Sequence, residues 1–357
     1  MTSNVVGVYY AETIQANKFT AQWNKIVAPW NKSVAQWNKS IEQAKHSERK
    51  AIEMFFRIPA EKTPDVWDFE RKCVSSHNLF RLNSFMKKCL LFLIGLTIGI
   101  SLSAQSNYTT ERDIPYHTEA AAYAAERCML DFYYPTDMKD FPTVVWFHGG
   151  GLEAGSKEIP RELRNAGLGV IGVNYRLLPR AKVEEIIDDA AAAVAWAFRE
   201  VEKRGGSARR IFVAGHSAGG YLTDMVVLDK SWLARYGIDA DSIAGAFPYS
   251  AQVITHYNVR KQQGVGPLTP RLDETAPLWH VRPLPMPMLV LSGDREMELY
   301  GRYEEQAYFW RMMRLVGNDK TLLYEFDGYD HGSMAAPAHS IVKRCIHAVC
   351  NGQPFTR

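Results

Sequence analysis

Along residues 105–357, short runs of apolar and β-branched residues alternate with stretches in which apolar positions recur every three or four residues. The runs CMLDFYYP from Cys128, TVVWFHG from Thr143, GVIGVNYR from Gly169, RIFVAG from Arg210, IAGAFPYS from Ile243, MLVLSG from Met288 and TLLYEFDG from Thr321 predict strands. Between them Val183, Ile186, Ile187, Ala190, Val194, Phe198 and Val201 build one apolar stripe, which predicts a helix over 183–203. Further helices are predicted near residues 160–165, 218–228, 300–315 and 338–348. Strands alternating with helices predict a mostly parallel sheet covered on both faces, with working residues in loops at the carboxyl ends of strands. The segment 252–283 breaks the pattern: it is rich in Pro, Gly and charge and carries His256, Tyr257 and Trp279. A long irregular insertion at this edge is read as a substrate-side cap.

The first 104 residues follow different patterns. MKKCLLFLIGLTIGISLSAQS, from Met86, puts two lysines before an uncharged apolar core from Cys89 to Ile100, followed by small polar residues that suit cleavage near Ala104. This is the layout of a secretory signal over residues 86–104. Its core is too short for a stable membrane span, which needs about twenty apolar residues. Upstream, AQWNKIV, APWNKSV and AQWNKSI repeat with a period of seven, and Trp23, Val27, Trp30, Val34, Trp37 and Ile41 sit at coiled-coil spacing. Pro29 interrupts the run. Because an export signal works at a free N-terminus, residues 1–85 are expected to be a mis-assigned upstream extension, isolated helix or disorder if translated.

Charge changes little in this picture. The chain carries 42 Lys plus Arg against 39 Asp plus Glu, but residues 1–104 hold 14 and 8 of these, leaving residues 105–357 slightly acidic at 28 against 31. No basic stripe with interleaved aromatics appears, so nucleic acid is not an expected partner. The 253 residues of 105–357 suffice for one large domain. Cys128, Cys345 and Cys350 lack CxxC spacing, so neither a disulfide framework nor a zinc site is expected, although one bridge is compatible with export.

The candidate chemistry lies after strands. RIFVAG leads into GHSAGG and then the helical pattern YLTDMVVL, the strand–G-x-S-x-G–helix context in which Gly215 and Gly219 permit a sharp turn with Ser217 at its apex. A serine hydroxyl needs a base, and the base an orienting acid. With the order Ser, Asp or Glu, then His, MLVLSGD offers Asp294 and the loop after TLLYEFDG offers His331. Glu296 and Glu298 are alternatives for the acid; Asp294 follows its strand most directly. His216, His256 and His280 are alternatives for the base, but only His331 combines chain order with a strand-end loop. The earlier WFHGGG supplies backbone N–H groups free of obstructing side chains, suited to a tetrahedral oxyanion, and Ala218, at a helix N-terminus, supplies another. No HExxH or Walker loop is present and the glycines of GHSAGG do not satisfy GxGxxG, so no metal motif competes and no metal is expected.

These residues resemble the α/β-hydrolase superfamily. HGGG with GHSAGG, NYRLLP and SGD is similar to the hormone-sensitive-lipase-like esterases and to bacterial feruloyl and acetylxylan esterases, over roughly residues 111–350. The resemblance implies an eight-stranded, mostly parallel sheet flanked by helices with a short cap. It also implies Ser217, Asp294 and His331 as a triad, Gly150, Gly151 and Ala218 as oxyanion donors, and no cofactor. Leu152 stands where relatives often carry an aromatic residue. The expectation is a periplasmic or secreted serine esterase acting on a small-molecule or carbohydrate-linked ester. An aryl-formamidase-like amide hydrolase is the alternative within the fold. A noncatalytic binding protein is the alternative of another class, and it predicts loss of a triad member.

Overall fold

A computed structural model describes residues 107–117, 122–266, 268–299 and 301–356. The expected signal at 86–104 and the heptads upstream lie outside the described residues. In chain order the elements are β1 (Tyr108–Pro115), α1 (Ala122–Arg127), β2 (Met129–Pro135), β3 (Phe141–Phe147), β4 (Gly169–Val173), α2 (Val183–Glu200), β5 (Gly206–His216), α3 (Ala218–Leu228), α4 (Lys230–Ala234), β6 (Gly245–Tyr249), α5 (Tyr257–Gln262), β7 (Met288–Gly293), α6 (Arg302–Leu315), β8 (Thr321–Phe326) and α7 (Ala335–Cys350). The strands form one eight-stranded sheet in the order β1-β2-β4-β3-β5-β6-β7-β8. The β1–β2 and β2–β4 pairs are antiparallel and the rest parallel.

Seven of these strands coincide with the apolar runs. The eighth, β1, reads YTTERDIP, a polar edge strand whose residues are mostly half-buried or exposed, so hydrophobic alternation gives no signal for it. The helix predicted near 160–165 is only a 3-10 turn, Arg161–Leu163. The long stripe ends as a helix at Glu200 and continues as a 3-10 turn, closed by Gly205 at φ 90°.

Alternation along the strands divides the core. Val145 and Phe147 of β3 join Ile186, Ile187, Val194 and Leu222 on one face, whereas Val144 and Trp146 join Phe212, Leu289, Val342 and Cys345 on the other. Burying each such aliphatic side chain contributes about 1.5–3 kcal/mol, which makes the central strands a rigid platform for the loops at their ends. The first turn of α2 has Glu184 and Glu185 at the positive end of its dipole, and Glu185 accepts from the backbone N–H of Lys182 at 2.8 Å.

Helix α3 carries a group that the fold tolerates at a cost. Asp224 is fully buried, and neither carboxylate oxygen has a hydrogen-bond partner among the described residues. Burial alone raises its pKa well above the usual carboxylate range. The folded state then holds a proton that the unfolded state releases above pH ~4, so this group costs stability as pH rises from there through the folded pKa. Asp224→Asn removes the titration. Its thermal midpoint is expected to exceed that of the parent at pH 8, by an amount corresponding to about 1–3 kcal/mol, with the gap closing toward pH 5. Equal midpoints at both pH values would show that the carboxyl has a partner in solution.

Candidate active site

Register brings the loops together. Phe147 pairs with Gly215, His216 with Tyr249 and Gly293 with Phe326, so the carboxyl ends of β3, β5, β6, β7 and β8 lie along one edge. Ser217 follows β5 at φ 57°, ψ −114°, a left-handed conformation that is strained for a residue with a Cβ. The turn is possible because glycines flank it. A Cβ on Gly219 would strike the Phe147 carbonyl, one on Gly215 the Gly219 carbonyl, and one on Gly220 would stand 2.9 Å from the Tyr249 carbonyl. The Ser217 amide donates to Tyr249 O at 2.8 Å, fixing the elbow to β6.

The glycine strip runs beside this elbow. A Cβ on Gly149 would lie 3.4 Å from Ser217 Cβ and 3.3 Å from His216 Nδ1. Gly150 and Gly151 have φ 112° and 64°, and the Gly150 carbonyl accepts from the amides of Glu153 and Ala154, curling the strip into a tight turn. His148 anchors its start: the ring stacks on Tyr175 at 4.3 Å, Nδ1–H donates to Gly149 O at 2.6 Å, and the Tyr175 hydroxyl donates to His148 O at 2.7 Å. Burial lowers the His148 pKa to about 4, so the ring is neutral at pH 7. Ala218 begins α3, where its N–H has no acceptor within the helix. Leu152, also at positive φ, is fully buried and its carbonyl accepts from Leu178 N.

His331 lies in the loop between β8 and α7, and two contacts fix it. His216 Nε2–H donates to the His331 carbonyl at 2.6 Å, with the rings 4.8 Å apart, which ties this loop to the residue preceding Ser217. Burial, and secondarily the nearby His331, lower the His216 pKa to about 4. On its other side, His331 Nδ1 is 2.8 Å from Glu298 Oε2.

The acid is where the structure departs from the sequence reading. Asp294 does follow β7, but its carboxylate turns away from His331: Oδ1 accepts from Glu296 N at 2.9 Å and Oδ2 from Gly328 N at 2.8 Å. It closes an Asx turn and staples two loops. The amides of Met297 and Glu298 both donate to the Asp294 carbonyl, and this reversal returns residue 298 to the end of the sheet. The Glu298 side chain is 1% exposed and accepts from Ser250 Oγ, from Gly293 N at 3.0 Å and from Leu299 N at 3.1 Å, besides meeting His331. Burial pushes its pKa up, but the hydrogen bonds from His331 and Ser250 outweigh it and hold the carboxyl at about 2. Ser250, at the end of β6, gave no signal in the sequence; its positive φ of 44° is visible only in the fold. The alternative bases are placed elsewhere. His256 is buried against Tyr221 and Tyr257, and His280 Nε2 bonds the Glu274 carbonyl.

Among the described residues one cluster has metal-ligand composition: His117, Cys128 and Asp189. It is occupied by an ion pair instead. Arg176 Nη2 and Nε reach Asp189 at 2.7 and 2.9 Å, and His117 Nε2 lies 2.9 Å from it. A guanidinium on both oxygens neutralises the carboxylate and pins the NYRLLP segment to α2. Cys128, Cys345 and Cys350 are free thiols. Among the described residues, no helix is long and apolar enough to cross a membrane.

The segment 252–283 contains α5 and a 3-10 turn, Pro277–His280. It reaches the glycine strip, where Asn258 Nδ2 donates to Gly151 O at 2.6 Å. Trp279 is 58% exposed.

Comparison with known proteins agrees with this architecture. A family model described as alpha/beta hydrolase fold matches residues 144–255, which include the glycine strip and the elbow. Esterase LipC of Mycobacterium tuberculosis is 27% identical over 229 residues, 57% of this chain and 56% of the relative. Carboxylesterase NlhH of the same species is 37% identical over 97 residues, 26% and 30% of the two chains. The chain thus spans less than two thirds of either relative. Among solved structures, a truncated carbohydrate esterase from gut microbiota superposes with TM-score 0.57 at 15% identity, over 70% of this chain and 98% of that one. Strand order, the strained elbow with its glycine strip, and the match of residues 144–255 agree on the α/β-hydrolase fold.

Proposed function

We propose that the protein is a serine hydrolase of carboxylic esters, with Ser217 as nucleophile, His331 as base and Glu298 as the orienting acid. The observation that carries this reading is the His331 Nδ1–Glu298 Oε2 pair, joined through His216 to the strained Ser217 elbow. The ionised carboxylate takes the Nδ1–H, which leaves the Nε2 lone pair free to act as base. Ser217 Oγ attacks the ester carbonyl as its proton passes to His331 Nε2. The carbonyl oxygen becomes an oxyanion that meets the N–H groups of Gly150, Gly151 and Ala218. Collapse breaks the bond to the alcohol, which leaves with the proton from His331. Water then attacks the acyl-serine with the same base and releases the acid. The site has every member that such a reaction needs, which argues against a noncatalytic role.

The substrate class follows from two supports. The leader-like pattern at 86–104 supports a location in the periplasm or medium, where esters attached to polysaccharide are accessible. The second support is the fold likeness to a carbohydrate esterase among the structural neighbours. Acetyl or feruloyl esters of plant polysaccharide are therefore the proposed substrates, cleaved without a cofactor. Turnover of acetylated xylan, feruloylated oligosaccharide and short acyl nitrophenyl esters, compared with an N-formyl aromatic amine, tests this. Ester hydrolysis is expected to dominate. Cleavage of the formamide alone would overturn the ester assignment.

A further inference from the structure

Helix α5 belongs to the cap, yet its first two residues lie against the glycine strip. A Cβ on Gly151 would stand 2.8 Å from both the Tyr257 hydroxyl and Asn258 Nδ2, so this glycine accommodates the cap as well as the turn. Asn258 is 3% exposed, and its bond to Gly151 O joins residues 107 apart in sequence. Tyr257 is held just as firmly. Its ring stacks on His256 at 4.8 Å, His256 lies against Tyr221 at 5.4 Å, and the Tyr257 amide donates to Gln252 Oε1 at 2.9 Å.

What this framework holds in place is a hydroxyl without a hydrogen-bond partner among the described residues. No hydrogen bond is made by Tyr257 Oη among the described residues, although the residue is half-buried and its backbone and ring are fully engaged. A half-buried phenol normally finds a partner, and one held rigidly at a catalytic loop with none is a donor in reserve. We propose that the Tyr257 hydroxyl donates to the oxyanion of the tetrahedral intermediate, adding a side-chain donor from the cap to the backbone N–H groups of the strip. Asn258 acts as the positioning residue that keeps the strip and Tyr257 in register. This rests on Ser217 being the nucleophile. The contribution arises only when the carbonyl oxygen gains charge, so it belongs to kcat and not to ground-state binding.

The test uses the full chain and Tyr257→Phe, which keeps the ring and removes only the hydroxyl. With p-nitrophenyl acetate, kcat is expected to fall about 10- to 100-fold with little change in KM. An aryl trifluoromethyl ketone, which adds to the serine and carries a full oxyanion, is expected to lose affinity by a similar factor. The thermal midpoint should stay with the parent's, since no protein hydrogen bond is removed. Unchanged kcat and ketone affinity would overturn the proposal, as would a rise in KM alone, which would place the hydroxyl on the alcohol part of the substrate. Ser217→Ala run in parallel separates the two readings. If it is inactive while Tyr257→Phe matches the parent, only the role of Tyr257 fails; if it turns over, the nucleophile assignment fails first.

Discussion

Ser217→Ala is expected to lower kcat on a short-chain nitrophenyl ester by ~10⁴-fold or more while leaving the protein folded, because it removes the hydroxyl proposed to form the acyl-enzyme. Residual rate over water should persist, since the glycine strip and the Ala218 amide, the proposed oxyanion donors, are unchanged. Stability should change little. The strain at φ 57° comes from the Cβ, which alanine retains, and the elbow is held by backbone: Ser217 N on Tyr249 O and Tyr221 N on Ser217 O. Stopped kinetics with an unchanged thermal midpoint is therefore the expected pair of readings. Undiminished turnover would remove the serine mechanism altogether.

The second large effect separates two carboxylates four residues apart in sequence. Glu298→Gln is expected to lower kcat by ~10³–10⁴-fold with KM nearly constant, the size seen when the acid of such a triad becomes an amide. Glutamine keeps the volume but brings an NH₂ group to a site where all the neighbours, Ser250 Oγ, Gly293 N, Leu299 N and His331 Nδ1, donate to the carboxylate. One of them must turn away or His331 must adopt the other tautomer, and either removes the base. The Glu298 pKa of about 2 sets the accompanying stability change. The carboxylate stabilises the fold above pH ~4.3 and this contribution is lost as pH falls toward 2, so the variant should be less stable than the parent at pH 7, with the deficit shrinking in acid. Asp294→Asn should retain kcat within about fivefold, since its carboxylate serves the amides of Glu296 and Gly328 and an asparagine oxygen can still cap the turn. The opposite ranking of the two variants in kcat would return the acid to Asp294.

The difference between the expected carboxylate and the one that meets His331 has a specific physical origin. Chain order and closeness to the strand end favour Asp294, and both rules are local. What decides the matter is the 294–298 turn, closed by hydrogen bonds from Met297 N and Glu298 N to Asp294 O and held to the β8 loop by Asp294 N on Tyr329 O. It aims the first carboxylate at backbone amides and the second at the imidazole. A sequence that offers Asp294, Glu296 and Glu298 within five positions cannot rank them without that turn. The polar strand β1 was illegible for a related reason: an edge strand that buries little carries no apolar alternation.

By itself the sequence determined what local sterics and burial impose. The seven apolar runs became strands because only the sheet interior could take them, and GHSAGG fixed a sharp elbow because Gly215, Gly219 and Gly220 meet backbone where no side chain fits. The order of elements then placed Ser217 and His331 at the same edge of the sheet. Only the tertiary structure decided which carboxylate holds His331, that His216 and Ser250 lock the His331–Glu298 pair in place, and that Tyr257 and Asn258 of the cap meet Gly151. Each of these contacts joins segments separated by some 33 to 115 residues, and hydrogen-bond direction across such gaps is set by packing and register, which leave no periodic trace in the chain.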